Sequence, residues 1–525
     1  MTFFYILLLT FLLQLKVASC LNVLVWCPTL GQSHVNFMGR IADTLQEDGH
    51  NVTMLMIEND PDIWSTGTSL VKHVVWYTSP LVDKTEWATH NFKKGNVFQT
   101  KTFDLADFMS MQDINYRTCQ SMINDEAFLS LLKSSHFDLA IMEMFHFCPA
   151  GILHIAGVPK IIMASALGIT PAHMEILDVP TSLSFVPTFL THMGSKMTLL
   201  DRMYNVVFSF SSKILYWKLL YSEQALIQSK FPNFPCLYQL FKSKLDYLLL
   251  NTNEFTESTR PTLSSIKYVG GVTTDQPKEL QPEFDSILSR GQKGTVFFSL
   301  GSLVKSSEMP THIRRAFFEA FLSFPEYEFI WKDDVASNFS YPNIHFRRWV
   351  PQVDLLADPR LKLFITHGGM NSIQEALLFG VPMITMPLFA DQDANAALAA
   401  ERGYSYTLNK FSITKEEVIR AIRSVLGVDG EESVYLLKAR QAARVLKGSS
   451  RLMKNEIQRV VRLSGSEPTL NHLKLDLDHL NTLQYFNVDV YLIFSCFIML
   501  LLISSCKIIN YYINLNFVPA KQKIA

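Results

Sequence analysis

Residues 361–395 constrain the fold of this chain more than any other stretch of its sequence. Residues 361–366 form an apolar run rich in β-forming side chains, and residues 367–371 form a glycine-containing loop that suits neither a strand nor a helix. Ser372 and Glu375 then have the spacing of a capping box, which predicts the start of a helix. A helix N-terminus after a strand and a glycine-rich loop directs free backbone N–H groups at one point. The segment therefore predicts an anion site, best suited to a nucleotide diphosphate.

Two shorter motifs precede this run. Residues 298–302 spell FSLGS, and residues 349–352 spell WVPQ. With Asp391 and Gln392 near the end of the run, the whole pattern resembles the signature of the UDP-glycosyltransferases, in the membrane-bound group that includes the glucuronosyltransferases. A pair of glycines alone would carry little information, whereas a run of this length with W-x-P-Q before it is highly specific.

Both halves of the chain open with a strand, a loop and a helix. Residues 22–27 predict a buried strand, an apolar stripe with helical spacing follows, and residues 52–57 predict the next strand. Residues 295–300 and 313–322 repeat the pattern. Such units imply parallel sheets with ligands beyond the carboxyl ends of the strands. The predicted fold class is α/β, and the resemblance implies the GT-B architecture, in which two doubly wound, Rossmann-like domains face a cleft.

The predicted domain boundaries follow this alternation and the composition of the segments between its parts. In chain order we expect a signal peptide, an acceptor-binding domain, a linker, a UDP-sugar-binding domain, helices returning toward the first domain and the membrane, a transmembrane helix and a cytosolic tail. These are residues 1–20, 21–268, 269–292, 293–450, 451–486, 487–509 and 510–525. Residues 181–245 are rich in Phe, Leu, Tyr and Met, so we expect helices there that shape an apolar acceptor pocket.

Two apolar segments raise the apolar fraction of the chain to 48%, which is high for a soluble enzyme. Residues 3–15 have the length of a signal-peptide core and precede a small-x-small pattern, so cleavage is expected near Cys20. Residues 490–506 carry no charge and would span about 25 Å as a helix, close to the thickness of the hydrocarbon core. Aspartates precede this segment and lysines follow it, which predicts a single-pass type I protein with a cytosolic tail.

Further features concern the compartment. Lys521 and Lys523 resemble the dilysine signal that returns type I proteins to the endoplasmic reticulum, although they could also be ordinary lysines on the cytosolic side. Asn51 and Asn338 begin glycosylation sequons, which matter only if the chain enters the lumen. The cysteines have neither metal-binding spacing nor the density of a disulfide scaffold, so no pairing can be assigned. We expect an endoplasmic-reticulum membrane protein whose catalytic domains are lumenal.

His34 is the candidate general base, because the resemblance places the family's catalytic histidine at this predicted helix start. An isolated histidine there would more often bind backbone groups. An imidazole with an ordinary pKa of about 6.5 is mostly neutral at pH 7 and can accept a proton. The family has an orienting aspartate at the end of a strand that begins Phe-Asp, but here the strand after Asp138 ends in Glu143. Glu143 can still reach a ring nitrogen, and the alternative is that His34 has no carboxylate partner.

The resemblance also assigns the residues that hold the donor. Trp349 would stack on the uracil, with a buried core tryptophan as the alternative. Glu375 would bind ribose hydroxyls, with a capping-box glutamate as the alternative. The remaining residues would contact the uracil, the diphosphate or the sugar hydroxyls. The complete predicted donor-binding set is Ser302, Trp349, Gln352, His367, Gly369, Asn371, Ser372, Glu375, Asp391 and Gln392.

Asp391, Gln392 and Asp393 also spell D-x-D, the metal-binding motif of a different glycosyltransferase architecture. In a doubly wound domain the helix N-terminus already supplies a positive field. We therefore expect no metal ion, and no cofactor beyond the UDP-sugar that acts as the donor substrate.

The resemblance implies an enzyme that transfers a hexose, glucuronic acid or glucose, from a UDP-sugar to a hydroxyl of small lipophilic acceptors by metal-independent inverting displacement. One alternative is a non-catalytic UDP-sugar-binding relative, because the aspartate position is Glu143. A nicotinamide oxidoreductase would need G-x-G-x-x-G after the first strand, and residues 28–33 lack it. The formal charge of −1 argues against a nucleic-acid partner. The expected partners are UDP-sugar, a lipophilic acceptor and the membrane, and a homo-oligomer remains open.

Overall fold

Parallel strands that alternate with helices build both halves of the chain, as the pattern of apolar runs predicts. The computed structural model describes residues 20–87, 96–100, 105–335, 341–427, 432–466, 470, 473–475, 477 and 479–516. The predicted signal peptide (apart from Cys20), the sequon at Asn338 and the dilysine pattern at Lys521 and Lys523 lie outside these residues.

Within the described residues, the first half forms a seven-stranded sheet. Its strands are β1 (Asn22–Pro28), β2 (Asn51–Ile57), β3 (His73–Tyr77), β4 (Leu139–Glu143), β5 (Ile161–Ser165), β6 (Leu245–Leu250) and β7 (Ile266–Tyr268). They pair in parallel in the order β3-β2-β1-β4-β5-β6-β7. The direction of strand addition reverses between β1 and β4, which makes their carboxyl ends the switch point where such sheets bind ligands.

The helices of this half cover both faces of the sheet. They are α1 (Gln32–Glu47), α2 (Lys84–Trp87), α3 (Leu105–Asn124), α4 (Glu126–Ser134), α5 (Cys148–Ile155), α6 (Pro171–Ile176), α7 (Leu199–Lys230) and α8 (Leu237–Lys244), with a 3₁₀ turn at Asn96–Phe98.

The second half repeats this plan with a six-stranded sheet, counted over the residues that the structure describes. Its strands are β8 (Gly294–Ser299), β9 (Tyr327–Lys332), β10 (Ile344–Arg347), β11 (Leu361–Thr366), β12 (Met383–Thr385) and β13 (Ser405–Thr407). They pair in parallel in the order β10-β9-β8-β11-β12-β13. The switch point of this sheet lies between β8 and β11.

The helices of the second half and of the C-terminal segment follow in chain order. They are α9 (Pro282–Arg290), α10 (Thr311–Leu322), α11 (Gln352–Ala357), α12 (Met370–Phe379), α13 (Gln392–Glu401), α14 (Lys415–Leu426), α15 (Val434–Leu446), α16 (Ser449–Ser466), α17 (Thr482–Tyr485) and α18 (Val488–Asn516), with a 3₁₀ turn at Ser306–Glu308.

Each sheet is buried on both faces. Because alternate residues of a strand point to opposite sides, one strand contributes side chains to two apolar clusters. In β1, Leu24 and Trp26 belong to one apolar cluster, whereas Val23 and Val25 belong to the other. Two further clusters cover the faces of the second sheet in the same way. These two sheets confirm the prediction of an α/β protein with two doubly wound domains.

Helix α16 returns from the second half and packs against α1. Its Ile457 joins the apolar cluster beneath α1. Lys454 and Arg462 form ion pairs with Glu47 and Asp48 at the end of that helix. Residues that follow the second sheet in the chain are therefore attached to the first sheet.

Helix α7 lies within the apolar segment 181–245, where the sequence predicts helices that shape an acceptor pocket. Met203, Val207, Phe210 and Ile214 follow one another on one face of the helix and are 53–66% exposed. The C-terminal part of the helix packs instead into the core through residues such as Leu220. Only a part of this apolar segment is therefore available to build a pocket.

A disulfide bond joins Cys119 in α3 to Cys148 at the start of α5. The two cysteines are separated by 29 positions in the sequence, and no spacing motif links them. The packing of α3 against α5 brings them together, which is why the sequence alone left the pairing open.

The chain divides into two units, one ending at Leu473 and the other beginning at Lys474. In the second unit, Val488–Ile513 of helix α18 is long and apolar enough to cross a membrane. No other helix among the described residues has this length and composition. The helix begins where the sequence predicts a transmembrane segment.

Candidate active site

His34, the candidate base, lies at the switch point of the first sheet. Helix α1 begins at Gln32, directly after the loop that follows β1, so His34 stands in its first turn. Strand β4, the neighbour of β1, ends at Glu143. Because the carboxyl ends of neighbouring parallel strands meet at one edge, the two side chains come together, and His34 Nδ1 lies 2.8 Å from Glu143 Oε1.

Glu143 is held by more than the histidine. It is 2% exposed, and its Oε1 also accepts a hydrogen bond of 2.8 Å from the backbone N–H of Ala166. Two donors on one oxygen restrict the side chain, so the additional methylene relative to aspartate does not leave the carboxylate loose. The alternative that His34 has no carboxylate partner is wrong.

The protonation of His34 reflects its neighbours. Burial lowers the pKa of His34, because it disfavours the imidazolium. The charge and hydrogen bond of Glu143, with a further contribution from the charge of Asp391, outweigh burial and raise the pKa of His34 above its ordinary value. When Nδ1–H donates to an ionised Glu143, Nε2 is the nitrogen that can accept a proton. The Phe145 ring packs edge-on against the imidazole, with 5.3 Å between the centroids.

His34 lines a cavity of about 440 Å³ that both halves of the chain enclose. The aromatic and apolar residues of its first-half wall include Trp87, Phe108, Met111, Phe145, Phe189 and Tyr216. The predicted donor-binding residues that line its second-half wall are Ser302, Gln352, His367, Gly369, Asn371, Ser372, Glu375, Asp391 and Gln392. One cavity therefore joins an apolar side to a polar side, with His34 on its surface.

The anion site predicted at residues 367–371 has the expected strand, loop and helix. Helix α12 begins at Met370, directly after Gly369 and the loop that follows β11. Gly301, in the loop after β8, has a φ of +81°, and a Cβ built there would lie 2.7 Å from the His367 ring. Only glycine combines that backbone conformation with so close an approach of the imidazole.

Ser372 and Glu375 do not form the capping box that their spacing predicts. Gly369 caps α12 without a side-chain hydrogen bond, and both side chains instead contact Gln352 at the start of α11. Gln352 Nε2 lies 3.1 Å from Ser372 Oγ and 2.6 Å from Glu375 Oε2. The capping-box interpretation is wrong because a donor from the neighbouring helix, rather than the cap backbone, binds the carboxylate. Burial raises the pKa of Glu375 to about 7, and the hydrogen bond from Gln352 limits that rise.

His367 provides hydrogen bonds rather than charge. Burial, with a smaller effect of the charge on Lys332, lowers the pKa of His367 to about 4. The imidazole is therefore neutral at pH 7, and it faces the cavity beside Gly301.

Lys332 is a functional candidate that sequence reasoning missed. It ends β9, lines the cavity, and donates a hydrogen bond of 3.0 Å from Nζ to the carbonyl of Gly301. Among the described residues it is the one lysine or arginine in the cavity wall. The signal was available, because the rule that ligands lie beyond strand ends applies to β9 as it does to β8 and β11.

Asp391 and Gln392 lie at the start of α13. Gln392 Oε1 accepts hydrogen bonds from two backbone N–H groups of the preceding loop, at 2.9 and 3.2 Å. Asp391 accepts one from Asn395 Nδ2 at 2.6 Å. Burial raises the pKa of Asp391, and its hydrogen bonds and the His34 charge offset only part of that rise. Both side chains line the cavity, and the charge of Asp391 contributes to the raised pKa of His34.

The D-x-D motif is split by the helix start. Asp391 lines the cavity, whereas Asp393 does not. In the part of the chain that the structure describes, no three His, Cys, Asp or Glu side chains are grouped closely enough to hold a metal ion. That the reaction needs no metal stays a prediction.

Trp349 is the predicted donor-binding residue that the structure does not bring to the cavity wall. It lies between β10 and α11 and is 63% exposed. The alternative of a buried core tryptophan is therefore wrong, and stacking on the uracil stays a prediction.

Known proteins are similar to this chain over most of its length, well beyond the residues of this site. The family model described as UDP-glucoronosyl and UDP-glucosyl transferase matches residues 22–523. The UDP-glucuronosyltransferase 3A1 of Bos taurus is 30% identical over 440 residues, which cover 81% of this chain and 80% of the relative. The UDP-glucuronosyltransferase 3A1 of Xenopus laevis is 28% identical over 414 residues, which cover 76% of each chain.

Solved structures show the same architecture. A UDP-glucosyltransferase from Polygonum tinctorium, capable of glucosylating indoxyl, matches with a TM-score of 0.56 at 16% identity, covering 86% of this chain and 100% of that one. The glycotransferase of kitacinnamycin matches with a TM-score of 0.54 at 18% identity, covering 84% and 99%. At these identities the likeness concerns the fold alone, and it confirms the GT-B prediction.

The family match is of a different kind, because it runs through both sheets, both walls of the cavity and the C-terminal apolar helix. This chain belongs to the UDP-glycosyltransferase family and is an enzyme of the UDP-glucuronosyltransferase type.

Proposed function

We propose that this enzyme transfers a hexose, glucuronic acid or glucose, from a UDP-sugar to a hydroxyl of a small lipophilic acceptor by a single inverting displacement. The observation that carries the proposal is the position of the His34–Glu143 pair in the cavity wall. Phe145, from the apolar wall, packs against the imidazole, and Asp391, from the polar wall, is close enough to raise its pKa. A base at this point can reach an acceptor on one side and the sugar on the other.

The acceptor class follows from the first-half wall. Trp87, Phe108, Phe189 and Tyr216 offer large apolar faces that favour a flat or aliphatic molecule over a sugar or peptide. Burial raises the pKa of the Tyr216 hydroxyl to about 12, so this group stays neutral and can only donate or accept a hydrogen bond. The wall therefore binds a lipophilic acceptor whose hydroxyl is directed at His34.

The proposed sugar transfer requires no reactant beyond the UDP-sugar and the acceptor. His34 Nε2 takes the proton of the acceptor hydroxyl while the hydroxyl oxygen forms a bond to the anomeric carbon. The bond from that carbon to the diphosphate oxygen breaks on the opposite side, and UDP leaves with the electron pair. Glu143 stabilises the imidazolium and holds the ring, as a carboxylate does in other histidine-based sites.

The leaving diphosphate needs positive charge, and two features supply it. The N-terminus of α12 directs backbone N–H groups and the positive end of the helix dipole at the cavity. Lys332 adds positive charge beside Gly301 and the neutral His367, although burial lowers the pKa of this lysine. In this assignment Ser302, Asn371 and Ser372 complete the diphosphate site, and Trp349 with Gln352 binds the uracil.

The names of the relatives point to glucuronic acid or glucose as the transferred sugar. Both 3A1 relatives carry names that specify glucuronosyl transfer, whereas the family description also covers glucosyl transfer. Asp391 and Gln392 would grip hydroxyls that both sugars share. The non-catalytic alternative rested on Glu143, and the contact between Glu143 and His34 speaks against it.

We further propose that the catalytic domains lie in the lumen of the endoplasmic reticulum, anchored by α18. The apolar helix supports the anchor. The Cys119–Cys148 disulfide supports an oxidising compartment, since such bonds are rare in the cytosol.

The proposal is tested in sealed microsomes from cells that express the chain. We expect transfer of label from UDP-glucuronic acid or UDP-glucose to a panel of phenols, with a higher rate after the membrane is permeabilised because the site is lumenal. EDTA should leave the rate unchanged. Inhibition by EDTA that Mn²⁺ reverses would contradict the metal-free mechanism, and full activity in intact vesicles that lack a sugar-nucleotide transporter would contradict the lumenal location.

Replacement of the base separates chemistry from binding. His34→Ala should lower kcat by about 10²–10⁴-fold, because general base catalysis typically contributes that much. The Kd for UDP, measured by titration calorimetry, should change less than about threefold, since His34 is not a donor-binding residue in this assignment. Transfer at the wild-type rate in this variant would remove His34 as the base.

The pH dependence of kcat/KM reports how Glu143 affects the pKa of His34. His34 must be neutral to accept a proton, so kcat/KM should rise with pH, with a midpoint above about 6.5 because the pKa of His34 is raised. Glu143→Gln removes the largest raising effect and leaves burial, which lowers the pKa, so the acidic limb should move to lower pH. The plateau rate should also fall.

Glu375→Gln is the control, because the pKa of Glu375 is about 7 and this variant removes its titration while leaving that of His34. An acidic limb that stays in place in Glu143→Gln would contradict the assignment of this limb to His34.

Lys332→Met tests the cation at the diphosphate. Loss of a charged hydrogen-bond donor should weaken UDP binding by about 10- to 100-fold and leave uridine binding unchanged. The fall in kcat/KM should be equal for UDP-glucose and UDP-glucuronic acid, and Lys332→Arg should restore part of it. A loss confined to UDP-glucuronic acid would instead assign Lys332 to the sugar carboxylate.

A further inference from the structure

The hydrogen bonds of the His34–Glu143 pair continue through the backbone of Ala166. Its N–H donates to Glu143 Oε1 at 2.8 Å, and its carbonyl accepts from Asn251 Nδ2 at 3.1 Å. Ala166 directly follows β5 and Asn251 directly follows β6, so the two meet because these strands are neighbours. Asn251 is 1% exposed. The Asn251 side chain thus lies within the first half, next to Ala166, whose N–H binds Glu143.

The same amide reaches the other half of the enzyme. Asn251 Nδ2 donates to Asn371 Oδ1 at 2.8 Å, in the first turn of α12. Gln374, one turn further along α12, donates from Nε2 to the backbone carbonyl of Asn251 at 2.7 Å. Two hydrogen bonds therefore attach the helix of the predicted diphosphate site to one residue of the acceptor-binding half.

The orientation of both amides follows from donor and acceptor chemistry. The carbonyl of Ala166 can only accept, so the atom of Asn251 that faces it is Nδ2. Asn371 must then present Oδ1 to the same Nδ2, which leaves its own Nδ2 as the end that can donate to an anion. Asn251 Oδ1 accepts no hydrogen bond from the described residues, so donation is the whole of its side-chain role there.

We propose that Asn251 is a positioning residue that sets the Asn371 amide with its N–H₂ group toward the donor diphosphate. This inference rests on the proposed function, because it assumes that α12 binds the diphosphate of UDP. Asn371 lines the cavity and Asn251 does not, so Asn251 acts through Asn371 rather than on the substrate. Without it, Asn371 can rotate and direct its carbonyl oxygen at the phosphates, which repel it.

Asn251→Asp is the sharpest single change, because it keeps the shape and replaces the donor by an acceptor. The carboxylate would attract Asn371 Nδ2 and turn its oxygen toward the cavity. We expect the Kd for UDP to rise about tenfold or more, with an unchanged Kd for uridine, which has no phosphate. Asn205→Asp is the matched control. Asn205 is a buried amide of the same half whose Nδ2 binds two backbone carbonyls away from the cavity wall, so its change should lower Tm without changing UDP affinity.

A double-mutant cycle distinguishes positioning from a structural role or a simple charge effect. In an Asn371→Ala background, Asn251→Asp should change the Kd for UDP by less than about twofold, because the group it positions is gone. A new negative charge or a general loss of structure would act equally in both backgrounds. Asn251→Ala, which adds no charge, provides a second cycle if Asn251→Asp does not fold.

The outcomes separate this inference from the proposed function. If the wild-type enzyme binds no UDP, the donor site fails and the inference fails with it. If the wild type binds UDP and the two substitutions are additive in both cycles, the positioning role alone is overturned. Non-additivity in UDP binding, with an unchanged uridine affinity, supports it.

Discussion

The hydrogen bond between His34 and Glu143 depends on β1 and β4 being neighbours at the switch point of the first sheet. The strands are separated by more than a hundred residues in sequence, but their carboxyl ends share one edge, so the loop after β1 and the last residue of β4 converge. Burying a carboxylate is costly unless it is paired. Here the imidazole and the N–H of Ala166 both contact Glu143 Oε1, so the buried carboxylate is paired, and its charge raises the pKa of His34.

The second sheet uses the same edge for a different purpose. Its switch point places the N-terminus of α12 in the cavity, together with a neutral His367 and the single cation Lys332 of the described wall. Most of the proposed donor site therefore consists of dipoles and neutral donors, which would suit a diphosphate that must be bound and then released. The acids in this wall, Glu375 and Asp391, have raised pKa values because burial disfavours their charge, which would limit their repulsion of a bound diphosphate.

The fold and most of the polar residues in the second-half wall of the candidate site could be predicted from the sequence. Strand, loop and helix at 361–379 have a local signature. His34 comes shortly after one recognisable apolar strand, and Glu143 ends another. The sequence failed where a partner comes from another element. Ser372 and Glu375 have capping-box spacing, but Gln352 from a neighbouring helix binds them. Lys332 has no motif around it, the partner of Cys119 depends on helix packing, and the exposure of Trp349 is not encoded in W-x-P-Q.

The sequence by itself determined the two doubly wound halves, the apolar C-terminal helix and the family, because these depend on local periodicity and contiguous motifs. The tertiary structure decided whether Glu143 could replace a shorter acid, which way the Asn371 amide points, and that one residue, Asn251, contacts both halves. These contacts join residues that are 109 to 123 positions apart in the chain. Hydrogen bonds require precise distances and angles between such residues, and sequence spacing does not fix them.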